Sequence, residues 1–130
     1  AGLKRMGLKK RIHRYFTTEE MIPAAGQGIL AVQGRTGLDY SFLEGYNDPK
    51  AWAEGSAERA FVKELDGGCS SPVAAFAQVT GDELFLSGLY YDQESGGYKK
   101  GNICGKAESA ELLGITLARQ LREAYRKGEV

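Results

Sequence analysis

The stretch Pro72-Val73-Ala74-Ala75-Phe76-Ala77-Gln78-Val79-Thr80-Gly81-Asp82-Glu83-Leu84-Phe85-Leu86-Ser87-Gly88-Leu89-Tyr90-Tyr91 decides how this chain folds. Two runs rich in Val, Phe, Leu and Tyr flank Thr80-Gly81-Asp82-Glu83, a short polar segment with a glycine that reads as a hairpin turn. The reading is two antiparallel strands, over 72–79 and 84–91. A second polar turn over 92–97 leads to a third strand over 98–106. On either side the apolar spacing changes to that of helices. Asp48-Pro49 is a strong helix start, because Asp caps free amides while Pro at the first helical position gives up no needed hydrogen bond. The helix expected over 49–65 turns Trp52, Ala57, Ala60, Phe61 and Leu65 inward, and Gly67-Gly68 ends it. A last helix over 107–127 carries Ala110, Leu113, Leu117, Leu121 and Ala124 on one face. Its early Glu108 and Glu111 and late Arg119, Arg122, Arg126 and Lys127 suit the helix dipole. Residues 48–130 therefore predict an α+β unit, a three-stranded antiparallel sheet with helices packed on one face.

The first 47 residues follow a different pattern. Leu3, Met6, Leu8 and Ile12 among Lys and Arg suggest the end of a helix and an irregular basic stretch over 2–16. Thr17-Thr18-Glu19-Glu20 resembles a capped helical turn, and 23–28 reads as a loop. Ile29-Leu30-Ala31-Val32 then forms a continuous apolar run, expected to be a strand over 29–34 buried on both faces and ended by Arg35-Thr36-Gly37. Its sheet neighbours are not evident elsewhere in the chain. The opening Ala1-Gly2-Leu3, without an initiator methionine, adds to the expectation that the chain is part of a longer polypeptide. An unprotected apolar strand would also favour self-association.

Composition narrows the function classes. The chain has 130 residues, enough for one modest core. Seventeen Lys and Arg balance seventeen Asp and Glu, which argues against nonspecific binding of nucleic acid or an anionic membrane. No run approaches the roughly 18 apolar residues needed to cross a bilayer. Two distant cysteines, Cys69 and Cys104, and one histidine are too few for a zinc site, so no metal is expected. Reduced thiols in a cytoplasmic protein are the simplest reading.

Four features have possible chemistry. Gly26-Gln27-Gly28-Ile29-Leu30-Ala31 fits the spacing G-x-G-x-x-A of dinucleotide sites, but that motif must open a helix, whereas here a strand-like run follows. A tight turn is the better reading. His13, between Arg11 and Arg14, reads as part of a solvated basic segment. Cys104, within the third strand, is expected to be a small buried hydrophobe. Cys69, in Asp66-Gly67-Gly68-Cys69-Ser70-Ser71-Pro72, sits on a glycine loop between helix and strand, where chemistry is often placed. The negative end of the preceding helix would raise its thiol pKa rather than lower it. From the residues alone it remains a candidate.

The stretch Ala57-Glu58-Arg59-Ala60-Phe61 through Leu65-Asp66-Gly67-Gly68-Cys69-Ser70-Ser71-Pro72-Val73-Ala74 closely resembles the cofactor-attachment signature of the hydroxymethylbilane synthases, or porphobilinogen deaminases. Ala1-Gly2-Leu3-Lys4-Arg5-Met6-Gly7 and Pro23-Ala24-Ala25-Gly26-Gln27-Gly28 fall in the order and spacing of that family, so the likeness spans nearly the whole chain. Ser71 departs from it, since Val, Ile or Thr usually stands there. The resemblance implies a transferase of tetrapyrrole (haem) biosynthesis that condenses four porphobilinogen molecules into linear hydroxymethylbilane and releases ammonia. It implies a dipyrromethane cofactor joined to Cys69 by a thioether, with porphobilinogen and the growing polypyrrole as ligands. By the same resemblance Arg5 matches a pyrrole-binding arginine, while Gln27 and Gly28 match the loop beside the cofactor cavity. Arg59 reads as a structural ion-pair residue, with Glu58 or Asp66. Residues 1–47 would be the end of the family's second domain and the strand returning to the first, and residues 48–130 the third, cofactor-attachment domain. The family's catalytic aspartate and most of its substrate arginines belong to missing N-terminal domains, so no catalytic residue is expected here and the chain alone would be inactive. A non-enzymatic α+β binding or regulatory module with an incidental cysteine, or a redox-sensing thiol domain, is the alternative.

Overall fold

The computed structural model describes residues 2–66 and 72–128. Its elements are a short helix α1 (Gly2–Arg5), 3-10 turns at Lys9–Arg11 and Ser41–Leu43, helix α2 (Pro49–Glu64), strands β1 (Ala74–Thr80), β2 (Glu83–Tyr91) and β3 (Tyr98–Lys106), a 3-10 turn at Ala107–Ser109 and helix α3 (Ala110–Arg126). The strands form one antiparallel sheet in the order β1-β2-β3. Thr80 pairs with Glu83 across a two-residue turn whose first member, Gly81, has φ 62°, the conformation that makes glycine the favoured residue there. The α+β fold expected from the change of period is the one found.

Both helices cover the same sheet face. The inward positions form three cross-strand rows, Ala75–Gly88–Gly101, Ala77–Leu86–Ile103 and Val79–Leu84–Gly105. At Gly88 the missing side chain leaves room for the Phe61 ring and for Leu117, and at Gly101 for Leu121. Phe61, Leu84, Leu86 and Leu117 are the largest fully buried side chains, and such burial contributes roughly 1.5–3 kcal/mol each. The two helices touch at Gly114, where a Cβ would overlap the carbonyl oxygen of Ala57 and lie 2.9 Å from Ala60 Cβ. Helix α2 starts as its sequence predicts, with the Asp48 carboxylate accepting from the N–H groups of Lys50 and Ala51 at 2.9 and 3.3 Å.

Three expectations fail on which side is inside. Trp52 is exposed, not on the inner face of α2. At about 100° per residue it lies half a turn from Phe61, nine positions on, and Ala53 packs on the core instead. Cys104 is exposed, not buried. It stands on the open face of β3 opposite Phe85, whereas its neighbour Ile103 faces the helices. Residues 29–34 form no strand: Leu30 is 96% and Val32 76% exposed, and the sheet described above has no position for them. Residues 36 and 37 form a turn, and the Tyr40 hydroxyl accepts from the Arg35 N–H at 2.6 Å.

Candidate functional site

The loop 23–28 is held by helix α2 and by the edge of the sheet. Every second N–H of β1 points away from β2 and needs an acceptor. Ala75 donates to the Pro23 carbonyl at 3.2 Å, Ala77 to Glu58 Oε1 at 2.8 Å and Val79 to Glu54 Oε1 at 2.8 Å. Glu54 and Glu58 lie four residues apart on α2, and that spacing puts both carboxylates on one stripe of the helix. The other oxygen of Glu58, Oε2, accepts from the Gly26 N–H at 2.6 Å. Ala25 packs against the core, and the Ile29 side chain lies close over Gly55 of α2.

Glu58 is the one buried charged residue among those described, 5% exposed. Burial raises its carboxyl above the ordinary glutamate value; the bonds from Ala77 and Gly26 oppose this, and the nearby charge of Glu54 adds to it. Sequence reasoning overlooked both glutamates as functional candidates, although their four-residue spacing beside Ala57 and Phe61 is a signal of inward placement. Arg59 is exposed and makes no ion pair with Glu58 or Asp66 among the described residues.

Gln27 and Gly28 therefore lie on a docked loop, with their own side of it exposed to solvent. Turn bonds run from the Gln27 N–H to Ala24 O at 3.1 Å and from the Ile29 N–H to Gly26 O at 3.0 Å. Gly26 and Gly28 have φ 74° and 88°, which allow the tight turn read from the sequence, and no helix follows of the kind a dinucleotide motif needs. Arg5 ends α1, exposed and without an ion pair among the described residues. Among the described residues no hydrogen bond or ion pair joins its guanidinium to the docked loop.

Cys69 lies outside the described residues. Asp66, the last described residue before it, has φ 53°, a left-handed turn after the end of α2. Glu64 ties that end to α3: its carboxylate accepts from Arg119 Nε at 2.9 Å and Arg122 Nη2 at 3.3 Å, while its carbonyl accepts from Arg122 Nη1 at 3.2 Å. The Arg119 guanidinium, with Arg122, holds the Glu64 carboxyl below its ordinary range. Among the described residues no cluster of three His, Cys, Asp or Glu could hold a metal, and no helix is long and apolar enough to cross a membrane.

These features define an α+β domain whose first helix and sheet edge together hold a loop from the preceding segment. Comparison with known proteins makes the family specific. Residues 52–123 match the family described as porphobilinogen deaminase, C-terminal domain, and residues 1–41 match porphobilinogen deaminase, dipyromethane cofactor binding domain. The chain is 42% identical over 126 residues to a porphobilinogen deaminase of Ruminiclostridium cellulolyticum, covering 97% of this chain and 43% of that protein. It is 48% identical over 122 residues to one of Alkaliphilus oremlandii, covering 94% and 41%. With one of Acetivibrio thermocellus the identity is 46% over 121 residues, covering 93% and 41%. The chain belongs to the porphobilinogen deaminase family, and it spans about two fifths of the length of these curated relatives.

Proposed function

We propose that this chain is the cofactor-bearing part of an enzyme that condenses four porphobilinogen molecules into hydroxymethylbilane, with Cys69 as the tether of the dipyrromethane primer. The observation that carries this reading is the occurrence of both family matches, in order, over 1–41 and 52–123. Residues 1–47 then close a preceding domain and return toward another, residues 48–130 form the attachment domain, and the substrate and catalytic aspartate meet in N-terminal domains beyond this chain.

The donor chemistry suits the group. A thiolate is a strong carbon nucleophile, as thioether formation requires, and guanidinium groups grip carboxylates such as the acetate and propionate arms of pyrroles. When bound, the dipyrromethane supplies the end to which the first pyrrole is added. The chain's own residues hold it in place. Cys69 keeps the primer attached through successive additions and is neither acid nor base. Arg5 binds a pyrrole carboxylate, while Gln27 and Gly28 line the cofactor's side of the cavity. The Glu64–Arg119–Arg122 cluster fixes the helix end from which the Cys69 segment leaves.

Peptide mapping of the intact enzyme tests the proposal. A dipyrrole mass on the peptide containing Cys69 is expected. The same mass on the Cys104 peptide, or on neither, would overturn it.

A further inference from the structure

We propose that Glu58 is a positioning residue: its carboxylate grips the loop 23–28 and strand β1 at once, and so sets where Gln27 and Gly28 stand relative to the end of α2. That these two residues serve a pyrrole site rests on the function proposed above; the grip itself does not.

The geometry demands an ionised carboxylate. Two N–H donors from separate segments, Gly26 at 2.6 Å and Ala77 at 2.8 Å, each occupy one oxygen. A glutamine offers one acceptor oxygen and an NH2 group that would meet the other N–H donor to donor. A protonated carboxyl has the same defect, since its hydroxyl presents a hydrogen. In either case one bond is lost. Ala77 is 3% exposed in a strand paired along its length with β2, so it cannot move away. The loop yields instead, because its remaining backbone tie to the sheet among the described residues is the bond between Pro23 O and the Ala75 N–H.

Global stability does not account for a charge at this place. Burial outweighs the two hydrogen bonds and raises the carboxyl, so ionising Glu58 costs the folded state free energy. Such a charge is expected where it fixes geometry that function uses. The ionisable group acting on it is Glu54, one turn earlier on α2; neither the loop 23–28 nor β1 contains a titratable residue.

The experiment is amide hydrogen exchange, read by NMR at neutral pH, on this chain as wild type, Glu58→Gln and Glu54→Gln. In Glu58→Gln the Gly26 amide should exchange roughly ten- to a hundredfold faster, the range for losing one charge-assisted bond, with β2 protection and melting temperature kept. Glu54→Gln, which retains an acceptor for its single partner Val79, should leave Gly26 protected. Unchanged Gly26 exchange in Glu58→Gln would overturn the grip. A general loss of protection with a lowered melting temperature would show a purely structural residue and overturn it equally. In the intact enzyme, wild-type turnover should show an acid limb that Glu58→Gln, with its loop released at every pH, lacks. An identical pH profile in both would overturn the link from the grip to the pyrrole site. An intact wild type with no pyrrole turnover would instead overturn the proposed function, with the exchange result still deciding the grip.

Discussion

The Glu64 carboxylate meets the Arg119 guanidinium at 2.9 Å, across the two helices and at the last turn of α2. The contact fixes the helix end that leads to Cys69, and its pH dependence has a definite sign. The folded-state pKa of Glu64 is lowered, chiefly by the Arg119 hydrogen bond, so this contribution is present above the ordinary value of about 4.5 and is lost as pH falls through the lowered one. Below pH 4.5 the unfolding free energy of Glu64→Gln should therefore fall less steeply than that of wild type. Parallel curves in urea titrations over that range would contradict this.

Glu58 acts in the opposite direction and in a different window. Its folded-state pKa is raised, so its contribution is fully present below about 4.5 and is lost as pH rises through the raised value. Wild type should lose stability relative to Glu58→Gln as pH increases from 4.5 toward neutrality. Denaturant midpoints of the two proteins measured side by side check the sign, and a widening advantage for wild type would refute it.

Gly114 sets how closely α2 and α3 approach. A methyl group there would meet backbone, the Ala57 carbonyl oxygen and the Phe61 nitrogen, and backbone cannot rotate out of the way. Replacing a helical glycine by alanine gains roughly 0.5–1 kcal/mol of helix propensity, whereas overpacking costs about 1–3 kcal/mol or more. Overpacking should win, so Gly114→Ala is expected to lower the melting temperature. A rise would mean that the helices separate easily.

Cys69→Ser and Cys104→Ser should separate function from packing. Neutral serine is too weak a nucleophile to replace a thiolate, so Cys69→Ser in the intact enzyme should abolish the stable pyrrole adduct. Cys104 is exposed on the open sheet face, so Cys104→Ser should keep the adduct and change stability by no more than about 0.5 kcal/mol. Intact-mass spectra of the two variants provide the check.

Arg5→Ala in the intact enzyme should weaken pyrrole binding with Cys69 still primed. Losing a charge-assisted hydrogen bond costs roughly 1.5–3 kcal/mol, about ten- to a hundredfold in affinity. Unchanged substrate saturation would make Arg5 an ordinary solvated cation, as its exposure on α1 allows.

The sequence by itself determined the elements from 48 onward, because their signals are local. Asp48-Pro49 starts a helix whatever surrounds it, Thr80-Gly81-Asp82-Glu83 closes a hairpin, and the spacing Ala110, Leu113, Leu117, Leu121 describes one face of a helix. The family signature was legible for the same reason, as a contiguous string around Cys69. Only the tertiary structure decided which sides those elements turned inward. Cys104 and Ile103 are adjacent in one strand, yet the glycines at 101 and 105, on the same face of β3 as Ile103, let Leu121 and Leu113 of α3 close onto that face, and Cys104 on the other face is exposed. The run 29–34 has the composition of a buried strand, but a strand requires partners, and the edge of β1 is already occupied by Pro23, Glu58 and Glu54. The sequence offers Glu58 as an ion-pair partner of Arg59, and only the fold brings Gly26, 32 residues before it, and Ala77, 19 after it, to its two oxygens. Periodicity and capping act over a few residues, whereas burial and hydrogen-bond partners are fixed by segments that meet only when the chain has folded.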